Sequence, residues 1–238
     1  MAVVALLAGS AAADPYPQLV VDRPLVYSPG MTAADVGIDA PSYRYGYSSN
    51  TRLGDYIYPD LGVKHAFGGL QLGADFGETI VGPILEVAAQ GYVGPGRLTL
   101  ELGDLLPKNG TNIDSELRQY VGYVLKATVV PHALSVDGGA GFTLYELQYQ
   151  YAGSSSPMFA GASAGATLQL VPELSVGAHG GFFVPLADTS QVHTSAWVGG
   201  NLTYVVDRFD VYAWARLDEL QRAPLPSVGG GVTVRLGG

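Results

Sequence analysis

The sequence predicts an all-β chain: a single antiparallel up-and-down transmembrane β-barrel of about twelve strands, with ten as the alternative count. Three observations predict it. The first is the stretch Met158–Val184, where alternate residues fall into two sets. Ala160, Ala162, Ala164, Ala166, Leu168 and Leu170 form an apolar set, and Gly161, Ser163, Gly165, Thr167 and Gln169 a small, polar one. After Val171-Pro172-Glu173 the alternation resumes with Leu174, Val176, Ala178, Phe182 and Val184 against Ser175, Gly177, His179 and Gly181. A period of two is a strand signal, because successive strand side chains point to opposite faces. The second is composition. Only 14% of residues are charged and 47% are hydrophobic, with mean hydropathy +0.21, yet no apolar run is long enough for a helical span. The third is that short and long connections alternate along the chain, as they do in a membrane barrel.

Taken in order, residues 1–13 read as a secretory signal, with an apolar core closing on Ala11-Ala12-Ala13-Asp14 and cleaved before folding. Residues 14–30 carry Pro15, Pro17, Pro24 and Pro29 and read as an extended periplasmic N-terminal arm. Residues 31–238 are the barrel. Its first strand, Met31–Asp39, stops before Pro41, and the tyrosine-rich segment Ser42–Asp60 is placed at a rim. Paired strands follow: Leu61–Phe67 with Leu70–Phe76 across Gly68-Gly69, Ile84–Val93 with Arg97–Gly103 across Gly94-Pro95-Gly96, and Leu117–Val130 with Leu134–Leu147 across Pro131-His132. The Met158–Val184 hairpin comes next, then His193–Val206 with Val211–Leu220 across Asp207–Asp210, and Ser227–Leu236 last. An even count puts both ends of the barrel and all short turns on one side.

Residues paired across a hairpin share a face, which checks the assignment. Pairing Val130 with Ala133 sets Lys126 opposite Asp137 and Arg118 opposite Tyr145. Pairing Leu170 with Leu174 sets His179 against Gly165 and Phe183 against Gly161. Pairing Val206 with Val211 sets Asn201 opposite Arg216, Thr203 opposite Trp214 and Gly199 opposite Asp218. All of these fall on the polar face.

On these features the chain resembles bacterial outer-membrane β-barrel proteins of a porin-like, uncharacterised type. The carriers are the signal-like start, the short-turn, long-loop alternation, the tyrosines, and Arg23-Pro24-Leu25 leading to Gly30-Met31. The chain departs from the family in ending Val234-Arg235-Leu236-Gly237-Gly238, where an aromatic residue is usual. The resemblance implies integral residence in the outer membrane after export through the periplasm. It also implies outer-membrane lipid, lipopolysaccharide and the barrel-assembly machinery as partners.

The polar face gives the candidate lumen. It collects Asp35, Asp75, Glu86, Glu101, Asp137 and Asp218 against Lys64, Arg97, Arg118, Lys126, Arg216 and Arg235, with His179, His193, Trp197, Asn201 and Trp214 among them. Balanced signs fit either pairs that plug the lumen or opposed patches lining a narrow, weakly selective pore. The inward glycines favour open space. Passive passage or binding of small solutes, with no cofactor, is therefore expected. A filled structural or adhesion barrel acting through its loops is the alternative. A third reading is a lipid- or peptide-hydrolase using His193 and Ser195, which share one strand face but lack an orienting group within reach. His65, His132, His179 and His193 are too scattered for a metal site. The absence of cysteine excludes disulfides and thiolate chemistry. A net charge of −9 argues against nucleic acid as a partner.

Overall fold

The structure, a computed structural model, describes residues 16–42, 44–45, 49–50, 53, 56–79, 82–104, 113–149, 153–187, 194–221 and 224–237. The expected signal, residues 1–13, and His193 lie outside the described residues. Twelve long strands form the barrel: β1 Thr32–Ala40, β2 Tyr58–Phe67, β3 Leu70–Thr79, β4 Gly82–Val93, β5 Gly96–Gly103, β6 Ile113–Val130, β7 Leu134–Tyr149, β8 Met158–Val171, β9 Leu174–Ala187, β10 Ser195–Val206, β11 Phe209–Asp218 and β12 Leu225–Leu236. Each pairs antiparallel with its neighbour in sequence, and β12 pairs with β1 from Thr32↔Leu236 to Ala40↔Val228. The sheet is closed. A three-residue strand, Gly153–Ser155, adds to β7 outside the ring.

Closure is what a bilayer requires. An open edge would leave backbone N–H and C=O groups facing lipid, each at a cost of several kcal/mol. The outer face supplies the matching apolar surface. Val36, Leu61, Leu72, Leu100, Val121, Phe142, Leu168, Phe182, Val198, Leu202 and Val232 stand exposed around it, drawn from ten of the twelve strands. Toward the long-connection end of β6 and β7, the Gln119 amide donates to Glu146 at 2.7 Å on that same face, which marks the rim of the band.

Register confirms two of the three hairpins as read. Lys126 lies opposite Asp137, Arg118 opposite Tyr145, His179 opposite Gly165 and Phe183 opposite Gly161. The third is shifted by two. Val206 pairs with Phe209 across a two-residue Asp207-Arg208 turn, so Asn201 faces Trp214, Thr203 faces Tyr212 and Gly199 faces Arg216. Asp207 takes φ 54° there, which closes the turn more tightly than the expected four-residue loop. A shift of two keeps every side chain on its predicted face.

The buried core is not at the barrel's waist. Most of it lies at the short-turn end, where residues 16–31 fold inward through one turn of 3₁₀ helix, Val20–Asp22, before β1 begins. Val21 and Met31 are fully buried, and Tyr16 and Val26 nearly so. Beneath them lies a belt of buried inward residues from most of the strands: Ala33, Ala66, Gln71, Thr99, Ser135, Ser175, Thr203, Val205, Asp210 and Arg235.

Candidate functional site

Strand parity carries the lumen. Starting from Lys126 opposite Asp137 and following each register around the ring, the inward positions are odd in β1, β3, β5, β7, β8, β9, β10 and β12 and even in β2, β4, β6 and β11. Lys64, Asp75, Glu86, Glu101, Arg118, Lys126, Asp137, His179, Trp197, Asn201, Trp214, Arg216, Asp218 and Arg235 all occupy inward positions. They do not form one site. They divide into an acidic wall, an aromatic wall and a closed mouth.

The acidic wall runs over β1 to β5. One row reads Asp35, Gly62, Asp75, Glu86 across four strands. Asp39 and Asp60 stand beside it, inward on β1 and β2, and Asp60 lies close enough to Asp35, Asp39 and Asp75 to be repelled by each. The expected lumen set omits Asp39, the last residue of the expected first strand, and Asp60 and Asp210, which fall in expected connections. The balance of signs therefore becomes an acidic excess. Few cations offset this wall. Lys64 reaches Asp75 at 4.0 Å, and Arg118 bridges Glu86 and Glu101, the second at 2.6 Å. Asp35 accepts from Tyr212 Oη at 2.7 Å and Thr233 Oγ1 at 3.2 Å.

The aromatic wall faces it across the ring, on β6 to β11. Tyr120, Tyr145, Phe159, Phe183, Trp197 and Trp214 point inward there. Here the glycine expectation is corrected. The inward glycines are not vacant ground, because neighbouring side chains lie flat over them. A Cβ at Gly122 would strike the Tyr120 ring, one at Gly161 would meet Phe183 Cδ1 at 2.9 Å, and one at Gly229 would meet Trp214 at 2.6 Å. Glycine lets each ring press against the backbone, and this keeps the rings out of the channel axis. His179 packs edge-on to Trp197 at 5.3 Å, and the Arg216 guanidinium covers the same indole at 5.8 Å while donating to Asp218 at 3.0 Å. A cavity of about 320 Å³ remains between Arg118, Tyr120, Thr143, Ser163, Phe183 and Trp197.

The remaining cations are committed to the closed mouth. Lys126 Nζ donates to the carbonyls of Val20 (3.3 Å) and Arg23 (2.8 Å), and Arg97 to that of Leu25 (3.0 Å). Arg235, only 1% exposed, donates to Asp207 O at 2.7 Å and Gln18 Oε1 at 3.3 Å, and lies 3.4 Å from Asp210. Arg23 makes a two-pronged pair with Asp210, at 2.7 and 2.9 Å. Arg23 and Arg235 each lie 5.5 Å from the Tyr16 ring centroid. Burial pushes the Tyr16 and Tyr27 phenols above their ordinary range, so both remain neutral. His132, read from the sequence as a solvated turn residue, keeps its exposure but meets Asp22 at 2.5 Å. Ser195 lies inward opposite Phe183, and no group of three or more metal-ligating side chains gathers among the described residues.

Among solved structures the barrel is similar to outer-membrane porins and channels. The NanC porin aligns with TM-score 0.59 at 13% identity, over 84% of this chain and 98% of that one. A KdgM porin solved with disordered oligogalacturonate aligns with TM-score 0.55 at 12% identity, over 85% and 98%. An outer membrane channel from Pseudomonas putida F1 aligns with TM-score 0.53 at 11% identity, over 89% and 97%. These likenesses establish a shared barrel fold. No family model matches the chain, and no curated protein matches it.

Proposed function

We propose that this chain is an integral barrel of the bacterial outer membrane, with the short turns and the arm on the periplasmic side, that passes or binds small solutes and prefers cations to anions. One observation carries the preference. Carboxylates line one continuous side of the lumen, while Arg97, Lys126 and Arg235 are spent on the arm and Arg118 and Arg216 are held by carboxylates. A low-dielectric wall focuses the field of such a row, raising the local concentration of counter-ions and lowering that of co-ions. The porin and channel likenesses support passage at the level of fold.

The test is conductance in a planar bilayer under a salt gradient, with a zero-current potential of cation-selective sign. Replacing Asp39, Asp60 and Asp75 together by Asn should move that potential toward zero. A potential of anion-selective sign would defeat the reading. A second reading, a filled barrel acting through its loops, is favoured by the packed mouth, and a barrel that stays silent however the arm is treated would support it.

A further inference from the structure

We infer that residues 16–30 are a releasable plug: seated, they close the short-turn mouth; released as a unit, they turn a one-ended vestibule into a through-channel. The inference rests on the passage reading for what flows, but the seating and release of the arm stand on their own geometry.

The arm does not lie along one strand, as an edge-on segment would. It spans the mouth and is fastened to strands all around it. Gln71 on β3 accepts from Tyr27 N at 3.0 Å, and Tyr92 on β4 from Leu25 N at 3.1 Å. Arg97 on β5 and Lys126 on β6 hold arm carbonyls, Gln169 on β8 accepts from Val20 N at 3.0 Å, and Asp210 on β11 holds Arg23. Most of these fastenings are hydrogen bonds from side chains of the wall to backbone of the arm, directed at polar groups that water could satisfy equally well. A bond of that kind yields little net free energy on forming. The seated state is thus held by many modest contacts, which suits an element that must let go.

The arm also has a hinge where it meets the wall. Gly30 has φ +82° with nothing within 4 Å of an added Cβ, and beyond it Gly30 N and Met31 O lock to Ala66 at 2.8 and 2.9 Å. Before Gly30 the arm is fastened by side chains; from Gly30 onward backbone pairing takes over. Release would expose Val21, now fully buried, and unmask Arg97, Lys126 and Arg235 at the mouth.

The experiment uses the full chain with one seating contact inverted. Arg23→Glu places a carboxylate against Asp210, and Arg23→Lys keeps the charge without the fork. In planar bilayers the unaltered protein should show rare openings and Arg23→Glu should raise open time by about tenfold or more, with Arg23→Lys between them. A second measurement is independent of conduction. The chain has no cysteine, so Val21→Cys gives one thiol, to be probed with a bulky maleimide from the short-turn side. Its labelling should be slow in the parent and faster by a similar factor with Arg23→Glu added. If labelling accelerates while both proteins stay silent, the plug stands and the passage reading falls. If parent and Arg23→Glu conduct equally and label equally, the plug is overturned and the passage reading survives. A Val21→Cys thiol that never labels, even with Arg23→Glu present, overturns release.

Discussion

Asp210 is the single residue on which the seated arm depends most, and its removal has a calculable consequence. Its carboxylate takes both prongs of Arg23 and lies 3.4 Å from Arg235; the Arg23 and Asp210 side chains are 12% and 9% exposed. A charge-assisted pair so enclosed is worth about 2–3 kcal/mol against the same groups in water. That figure is already net of the hydration Arg23 regains on release. Asp210→Ala should therefore shift the ratio of seated to released arm by about 30- to 150-fold, at 1.4 kcal/mol per tenfold. Limited proteolysis reads this directly. Chymotrypsin should cut at Tyr27–Ser28 only from the released state, at a rate proportional to its population when reclosing is fast. Asp210→Ala should speed that cut by the same factor while the barrel's migration on an unboiled gel stays that of the parent. Cleavage within about twofold of the parent, well below the factor computed from the pair, would refute the reasoning: the arm would then be held by something other than this ion pair.

Three further outcomes follow from the fold. Gly231 sits in the β1–β12 seam, where an added Cβ would strike Val36 O and lie 2.8 Å from Gly37 Cα. Gly231→Ala should therefore cost about 1–3 kcal/mol in urea unfolding, as backbone cannot yield the way a side chain can. Leu100→Arg, which sets a charge in the apolar band, should cost about 2–4 kcal/mol if it lies near the midplane, read as lost folding yield into lipid vesicles. Arg118→Met should leave Glu86 and Glu101 without their shared cation and strengthen cation preference, measured as a larger zero-current potential.

Much of the barrel was legible because alternation reports faces directly. All twelve strands lie where the apolar-polar period placed them, and the predicted faces survive even in the hairpin whose register moved. That hairpin was misjudged because Asp207-Arg208-Phe209-Asp210 looks like a polar loop. Yet Phe209 is outward and Asp210 inward, so the alternation already ran through them. Asp60 is lost to the habit of ending strands at prolines, although Pro59 lies within β2, whereas Asp39 ends the expected first strand with the parity of Asp35 and is not counted with it. The arm's role was the least legible. Its prolines announce an extended segment and nothing periodic shows where it goes. A signal did exist on the wall: Arg97, Lys126 and Arg235 all fall near short turns, on the lumen face, where a bare cation would want a partner. The backbone carbonyls of an incoming segment are such a partner, but a sequence shows no carbonyls in space.

The most direct test of the account is the zero-current potential of the Arg23→Glu protein in a planar bilayer under a potassium chloride gradient. Release bares Arg97, Lys126 and Arg235, but the inward carboxylates still outnumber the inward cations, so the potential should have the sign of cation selectivity and shrink toward zero when Asp39, Asp60 and Asp75 become Asn. A potential of opposite sign, or one indifferent to those three substitutions, would contradict it.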